Sequence, residues 1–413
     1  MTTAAIQRAL TATEKIYADV EMYVGYTVRT VGRLDPDALR TAYAAVCRAH
    51  PQLAARLEAD DGGLVFVASD APPEVQFSAG DPDRPLTGVE LDEYRMLSAL
   101  NVVRDGAEAS VTLLTHHSIA DAHHSIDLLS ALWGCYTDVV RGVPVDLPRR
   151  PYPRSLEDLL AERGIHRVAA DGEDSSAPLR TVTELPVSAR VVMVRHVVQH
   201  RLTSAQTKAL AELGHREQVT LNGLLSGAVL LVEAEIRGLP ICELLFRYTV
   251  DLRNRLTPPV GPTEGTNVVG GGLFKASDDV GPSAVAIGRA LGQRLRDGLA
   301  DGSIQRSLLD MVTLPAPHAK PQPQAPAPAV VSVSNWGVVP PLRTPDGLRL
   351  TAFQSSSRRK VAPGELAAVG GYVATTFDGR IGIDLAWPEG DPELSERLDR
   401  LREGLDRLVS RSV

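Results

Sequence analysis

A cluster of histidines lies in the stretch THHSIADAHHS, from Thr115 to Ser125. It holds four histidines and one aspartate in eleven residues. Imidazole has an unperturbed pKa of about 6.5, which suits proton transfer near neutral pH, and it is also a common metal ligand. The cluster therefore predicts one of three things: a catalytic base with its supporting residues, a metal site, or the start of a helix.

The spacing of these side chains distinguishes the three alternatives. Asp121 could cap the helix predicted after it, with His123 and His124 on the first turn. His116 and His117 end a predicted strand, where neighbouring side chains point to opposite faces, so they diverge instead of converging on one ion. No further set of His, Cys or Glu at ligand spacing follows, so the sequence does not favour a metal site. A general base needs only one imidazole, held by a local hydrogen bond.

Charge and composition exclude several classes of protein. The formal net charge is −8, and Lys and Arg are spread along the chain, which argues against nucleic acid or a polybasic membrane patch as a partner. The three cysteines are far apart in sequence and show no spacing typical of disulfide pairs, which favours a reducing compartment. The longest apolar run, Gly223 to Val232, is shorter than the roughly 18 to 20 residues that cross a bilayer. We expect a cytoplasmic monomer without a transmembrane segment.

The length of the chain and its hydrophobic periodicity indicate the domain organisation. With 413 residues, the chain exceeds the usual size of one hydrophobic core. Strand and helix patterns alternate in both halves, which predicts an α+β fold. A Pro-, Arg- and Gly-rich connection at 146–185 separates a first half, 1–145, from a second half, 186–413. The segment Leu314–Ala329 is rich in Pro and predicts an extended linker.

The strand, loop and helix around the cluster position its side chains. LSALNVVRDGAEASVTLLTHH predicts a hairpin with Asp105 and Gly106 at the turn, so that His116 and His117 end the returning strand. After the cluster, apolar residues repeat at helical spacing from Ile126 to Val140. The histidines therefore lie between a strand end and a helix start.

Several segments carry a resemblance to a known family. HHSIAD is similar to the HHxxxDG motif shared by condensation domains of nonribosomal peptide synthetases, chloramphenicol acetyltransferase relatives and polyketide-associated acyltransferases. RAHPQLAARLE, YTVDLRNRLTPPVGPTEGTN and SVSNWG resemble the same group, especially the phthiocerol/phthiodiolone dimycocerosyl transferase family, over nearly the whole chain. The resemblance implies two chloramphenicol-acetyltransferase-like half-domains, each a mixed sheet with helices, with a tunnel between them. Ala122 replaces the motif's glycine, for which we expect a modest adjustment.

The resemblance also implies roles for the residues of the histidine cluster. His117 would be the catalytic base facing the tunnel, and His116 a structural neighbour in the interior. Asp121 would support the loop through an ion pair with Arg253. The alternative for Arg253 is an exposed charge after a strand.

Asn335, Trp336 and Gly337 resemble the late motif of the family, which helps to shape the tunnel. A buried aromatic side chain between strands is the alternative for Trp336. The donor that would stabilise the oxyanion is not identified, and the helix start after His117 is one candidate.

The resemblance implies an O-acyltransferase that moves an acyl group from a thioester to a hydroxyl of a polyketide- or lipid-type acceptor. The donor would be acyl-phosphopantetheine on an acyl carrier protein or polyketide synthase carrier domain, or acyl-CoA, with no permanently bound cofactor and no metal. Two alternatives stay open: an amide-forming condensation enzyme, and a non-catalytic module that binds a carrier protein. Ala122 favours the binding module, and the intact His117 argues against it.

Overall fold

The N-terminal part of the chain builds seven strands and four helices. The computed structural model describes residues 6–167, 191–311, 329–361, 370–388 and 390–410. Up to residue 167 its elements are β1 (Ile6–Ala9), α1 (Ala12–Ala18), β2 (Tyr23–Gly32), α2 (Pro36–Ala49), β3 (Ala55–Asp60), β4 (Gly63–Ala68), β5 (Val75–Ala79), β6 (Ser98–Asp105), β7 (Glu108–His116), α3 (Ala122–Val140) and α4 (Leu156–Ala161).

The described C-terminal part repeats the mixture of strands and helices. Its elements are β8 (Val191–Arg201), α5 (Ser204–Glu217), α6 (Leu221–Arg237), β9 (Leu244–Asp251), β10 (Val269–Phe274), α7 (Ala284–Ala300), α8 (Ser303–Met311), β11 (Ala329–Val338), β12 (Leu348–Val361), β13 (Gly371–Phe377), β14 (Arg380–Pro388) and α9 (Leu394–Ser410). Within these ranges no helix alone is long and apolar enough to cross a membrane, although α5 and α6, bent by 102°, pass that test as a pair.

One large sheet joins both parts of the chain. Its eleven strands follow the order β10-β9-β11-β13-β14-β8-β12-β2-β7-β6-β5, and β1, β4 and β3 form a separate small sheet. The joint is β12, whose residues 348–358 pair with β2 while residues 357–361 pair with β8. A strand from the C-terminal part therefore completes the sheet that carries the histidine cluster.

Beyond the Arg195–Ser357 pair, β8 and β12 separate, and a buried carboxylate lies at the fork. Asp384 accepts hydrogen bonds from the Ser355 N–H at 2.6 Å, the Ser355 hydroxyl at 2.7 Å and the Gln199 amide at 2.7 Å. Burial raises the pKa of Asp384 to about 6, and its three donors only partly offset that effect.

The described residues form two large hydrophobic cores and a small third cluster of Tyr23, Ala99 and Leu114. The N-terminal core packs α2 and α3 on β2, β6 and β7, with Tyr43 and Trp133 fully buried. α2 begins where the Asp35 side chain accepts the N–H groups of Asp37 and Ala38, and its 3.6-residue period puts Tyr43 on the buried face. The C-terminal core packs α5, α6, α7 and α9 on β9, β10, β11, β13 and β14.

The α+β class is confirmed, and so is the hairpin of β6 and β7. Its turn lies one residue later than predicted, at Gly106, with a φ of 57°, and Ala107, because Asp105 still pairs with Glu108. β12 continues to Val361, where its last residues pair with β8. The predicted linker Leu314–Ala329 lies outside the described residues except Ala329, which begins β11. The boundaries 1–145, 146–185 and 186–413 remain predictions. Of the connecting segment, α4 is described, and it packs into the C-terminal core.

Candidate active site

Backbone pairing fixes His116 and His117 at the end of β7. His116 lies opposite Tyr23 of β2, and the His117 N–H donates to the Met22 carbonyl at 2.7 Å. The next four residues lead into α3, which begins at Ala122 after the capping residue Asp121. The loop between strand and helix is therefore short and tied at both ends.

The His117 imidazole has one partner that fixes its tautomer. Its Nδ1 lies 3.0 Å from the Asn267 Oδ1, and the Asn267 Nδ2 donates to the His117 carbonyl at 2.8 Å. Because the Asn267 amide nitrogen is engaged with a carbonyl, its oxygen must accept from the imidazole. Nδ1 thus carries the proton, and Nε2 keeps its lone pair.

The environment of His117 favours the neutral ring. Burial lowers the pKa of His117 below its usual value, although Asp121 and the Asn267 hydrogen bond act in the opposite direction. The Tyr17 ring stacks on the imidazole at 4.1 Å between centroids and 5° between planes. The side chain is still only half-buried, so part of the imidazole contacts solvent-accessible space. A neutral, rigidly held imidazole with a free Nε2 suits a general base.

Asp121 and Arg253 form a bidentate ion pair in the interior. Arg253 Nη1 donates to Asp121 Oδ2 and Nη2 to Oδ1, each at 2.9 Å, and the two residues are 5% and 1% exposed. Burial acts to raise the pKa of the Asp121 carboxyl, but the Arg253 charge and its hydrogen bonds outweigh it, so the pKa is lowered. The same contacts raise the pKa of Arg253.

The Asp121 carboxylate also holds the segment that carries Asn267. Its Oδ2 accepts the Val268 N–H at 2.8 Å, and the Asp121 N–H donates to the Thr266 carbonyl at 2.8 Å. Both neighbours of Asn267 are thereby fixed to the start of α3. Asp121 is therefore connected to His117 through the segment that carries Asn267.

His116 points to the opposite side of β7 and is fully buried. Its Nδ1 lies 2.7 Å from the Ser118 hydroxyl, and its Nε2 lies 3.1 Å from the Glu93 Oε2. The Tyr23 ring contacts it edge to face. These contacts are those of an interior histidine.

His123 and His124 diverge on the first turn of α3. His124 is buried, with Nδ1 at 2.9 Å from the Gly265 carbonyl and Nε2 at 3.0 Å from the Gln52 amide nitrogen, and burial lowers its pKa to about 4. His123 Nε2 is 3.9 Å from the Asp251 Oδ2. Within the described ranges, no group of three or more His, Cys, Asp and Glu side chains is arranged to hold a metal ion.

Asn335, Trp336 and Gly337 lie on β11, where this strand passes from one core to the other. The Asn335 Oδ1 accepts the Gly337 N–H at 2.8 Å, and Gly337 has a φ of 72°, which favours glycine. Trp336 packs against the N-terminal core, with its ring 5.0 Å from that of Tyr26. A Cβ on Gly337 would be 3.8 Å from His123 Nε2, so the late motif lies beside the first turn of α3.

Ala122 needs no glycine backbone, because it is the first residue of α3 and has no positive φ. Three N–H groups of the preceding loop are already engaged. Ser118 donates to His116 Nδ1 at 3.3 Å, Ile119 to the His116 carbonyl at 3.0 Å, and Asp121 to the Thr266 carbonyl. An oxyanion would require a donor other than these three.

Sequence reasoning missed Asn267 and Tyr17 as neighbours of His117. Asn267 ends the segment YTVDLRNRLTPPVGPTEGTN and is 150 residues from His117 in sequence. Tyr17 lies on the seven-residue helix α1, which was not predicted. No local pattern connects either residue with the histidine cluster.

The chain is similar to known proteins over nearly its whole length. A family model described as the phthiocerol/phthiodiolone dimycocerosyl transferase C-terminus matches residues 192–386. The phthiocerol/phthiodiolone dimycocerosyl transferase of Mycobacterium ulcerans is 32% identical over 97% of this chain and 96% of the relative. The transferase of the same name from Mycobacterium tuberculosis strain H37Rv is 32% identical over 83% of this chain and 84% of the relative.

Solved structures extend the similarity to the whole fold. Polyketide synthase associated protein 5 from Mycobacterium tuberculosis superposes with a TM-score of 0.80 at 28% identity, covering 99% of this chain and 100% of that one. The first condensation domain of the CDA synthetase gives 0.69 at 14% identity, covering 98% and 96%, and thus shares the fold. The expected two-lobed acyltransferase fold is thereby confirmed. The chain belongs to the phthiocerol/phthiodiolone dimycocerosyl transferase family, whose members are acyltransferases with the condensation-domain fold.

Proposed function

We propose that this chain transfers an acyl group from a thioester to an alcohol, with His117 as the general base. One observation carries the proposal: Asn267 holds the His117 Nδ1 proton, which leaves Nε2 as a lone-pair acceptor in a ring of lowered pKa. The names of the relatives, dimycocerosyl transferases for phthiocerol and phthiodiolone, support an acyl group as cargo and an alcohol as acceptor.

The reaction needs one proton acceptor and no covalent enzyme intermediate. The acceptor hydroxyl attacks the thioester carbonyl carbon while His117 Nε2 takes its proton, so that a C–O bond forms and the carbonyl becomes a tetrahedral oxyanion. Collapse breaks the C–S bond, and the imidazolium returns its proton to the leaving thiolate. Asn267 stabilises the transient imidazolium through Nδ1–H, and the Asp121–Arg253 pair keeps Asn267 in position.

The donor thioester is carried by phosphopantetheine on an acyl carrier protein or polyketide synthase carrier domain, or by coenzyme A. The association of one structural relative with a polyketide synthase, stated in its name, supports a carrier-protein donor. No permanently bound cofactor enters this chemistry. We place the enzyme in the cytoplasm, where such carriers are made.

Thiol release and product mass together test this proposal. Lauroyl-CoA and a lauroyl carrier protein are each offered with dodecanol or dodecylamine, and the wild type is compared with His117→Ala. We expect ester formation, and a rate about 10² to 10⁴ times lower in His117→Ala. His215→Ala, an exposed histidine on α5, serves as the matched control and should keep the wild-type rate. Equal rates in wild type and His117→Ala would exclude His117 as the base.

Amide as the main product would instead identify an amide-forming condensation enzyme. Stoichiometric binding of the carrier protein, with no product from any acceptor, would identify a binding module.

A further inference from the structure

The large sheet has an inner face, which points away from the C-terminal core. On β9, Phe246 and Tyr248 belong to that core, so Arg247 between them points to the inner face. By the same alternation, Ser332 of β11 lies between core residues Val331 and Val333. On each strand, the inner face therefore consists of the alternate residues whose side chains do not belong to the C-terminal core.

A row of small residues on this face separates two arginines. Arg247 lies opposite Ser332, Gly371 packs against Ser332, and Gly371 lies opposite Ala386. Arg195 is on the next strand, β8, opposite Pro388 of β14 and Ser357 of β12. These small side chains and the two arginines share one face of the sheet, and we name this region the arginine trough: Arg247, Ser332, Gly371, Ala386, Ser357 and Arg195.

The two guanidinium groups of the trough have no carboxylate partner among the described residues. Arg247 donates to the Ser332 hydroxyl at 3.1 and 3.3 Å, and the Nε of Arg195 is buried without a hydrogen-bond partner. Burial, together with the positive charges of Arg359 and Arg247, lowers the pKa of Arg195 to about 9. Arg195 therefore remains charged at neutral pH. Proteins rarely bury a cation without a counterion, because the charge loses its hydration.

The trough is close to the proposed base and open to water. Arg247 acts electrostatically on the Tyr17 phenol, and the Tyr17 ring stacks on His117. The Arg247 side chain is exposed, yet surrounding protein lowers its pKa by burial.

We propose that Arg195 and Arg247 bind a carboxylate carried by the acyl chain or the acceptor, so that a substrate of this enzyme is an acid. The inference rests on the proposed acyl transfer at His117. Two guanidinium groups on one face of the sheet supply the positive charge and the hydrogen-bond donors that such an anion needs. A donor phosphate offers the same charge, but it lies a whole pantetheine arm from the thioester carbon. Because Arg247 acts on the phenol of the ring that stacks on His117, we assign the anion to one of the reacting molecules.

Binding of a matched acid and ester tests the inference without catalysis. 12-Hydroxydodecanoate and its methyl ester are titrated calorimetrically into wild type, Arg195→Gln, Arg247→Gln and the control Arg349→Gln, an exposed arginine on β12. We expect wild type to bind the acid about tenfold or more tightly than the ester. Arg195→Gln and Arg247→Gln should lose that preference, and Arg349→Gln should keep it. Equal binding of acid and ester by wild type, or a preference that survives in both trough variants, would overturn the inference.

A second pair of ligands identifies the source of the anion. 4′-Phosphopantetheine and pantetheine are titrated into the same proteins, and an arginine-dependent preference for the phosphate alone would assign the trough to the donor and overturn the carboxylate. Thermal unfolding gives an independent readout: Arg195→Gln should melt at a higher temperature than wild type, since it removes a half-buried charge that has no carboxylate partner among the described residues. A lower melting temperature would mean that Arg195 is already paired and would contradict the inference.

The inference and the proposed function fail separately. An acid preference that persists in a protein without transferase activity would refute acyl transfer but keep the anion site. Transferase activity with no acid preference would refute the anion site alone.

Discussion

Removing one partner of the buried Asp121–Arg253 pair should destabilise the protein strongly. Asp121→Ala deletes the acceptor of four hydrogen bonds: two from Arg253 and one each from the N–H groups of His124 and Val268. Breaking such a pair costs about 3–5 kcal/mol. Arg253 keeps Asp251 as a second carboxylate at 2.9 Å, so we expect a loss near the lower limit, about 3 kcal/mol.

A double-mutant cycle separates the ion pair from its surroundings. Arg253→Met leaves Asp121 with two backbone donors, for which we also expect a loss of about 3 kcal/mol. The double variant buries no unpaired charge, so its loss should be well below the sum, with a coupling energy of about 2 kcal/mol. Urea unfolding of the four proteins at pH 7 gives the free energies of unfolding.

The lowered pKa of Asp121 also determines how the stability difference between wild type and Asp121→Ala changes with pH. The folded-state pKa of Asp121 is lowered, so its contribution is present above the unfolded value of about 3.9 and is lost as pH falls through the lower folded value. The difference between wild type and Asp121→Ala should thus be constant from pH 5 to 8 and shrink only in stronger acid. Arg289→Ala, which breaks the exposed pair with Glu217, is the control and should change stability little. Losses below about 1 kcal/mol, or strictly additive losses, would refute the reasoning.

Three further measurements address individual side chains. The lowered pKa of His117 predicts that the acidic limb of kcat/KM lies below pH 6.5, and Asn267→Asp should move it upward by adding a negative charge; a wild-type limb above 6.5 would contradict this. Tyr17→Phe keeps the ring that stacks on His117 and should retain activity, whereas Tyr17→Ala should lose up to about tenfold; equal rates would exclude stacking as a support. Because the pKa of Asp384 is raised to about 6, its protonated carboxyl group stabilises the fold fully below about pH 4. This contribution to stability is lost as pH rises through 6. Relative to Asp384→Asn, wild type should therefore lose up to about 3 kcal/mol between pH 4 and 8 in urea unfolding, and a constant difference would contradict the buried-acid assignment.

Local periodicity was sufficient to predict the elements around the histidine cluster. The hairpin of β6 and β7 and the helix α3 follow from short-range spacing, because each buries its own apolar face. Pairing between distant strands was not predictable in the same way. The continuation of β12 to Val361 depends on β8, which lies more than 150 residues earlier, so its own sequence does not indicate where it ends.

The residues of the candidate site also fall into two groups: those that short motifs predict, and those that only long-range contacts bring to the site. His117, Asp121 and Arg253 were predicted from the resemblance to family motifs. Such motifs are short in sequence, but they mark residues that meet only in the folded protein. Asn267 and Tyr17 reach the imidazole only after the sheet and the Asp121–Val268 contact are formed. Their importance depends on the folded arrangement, and residue type alone gave no indication of it.

The strand β12 has a consequence for how the molecule is made. During synthesis, β2 emerges more than 300 residues before its neighbour β12, so the edge of the early sheet that β2 forms stays unpaired. A fragment that ends near residue 145 would expose that edge permanently, and unpaired strand edges promote aggregation. The histidine loop can therefore reach its final rigidity only late in translation, when the chain has grown past residue 361.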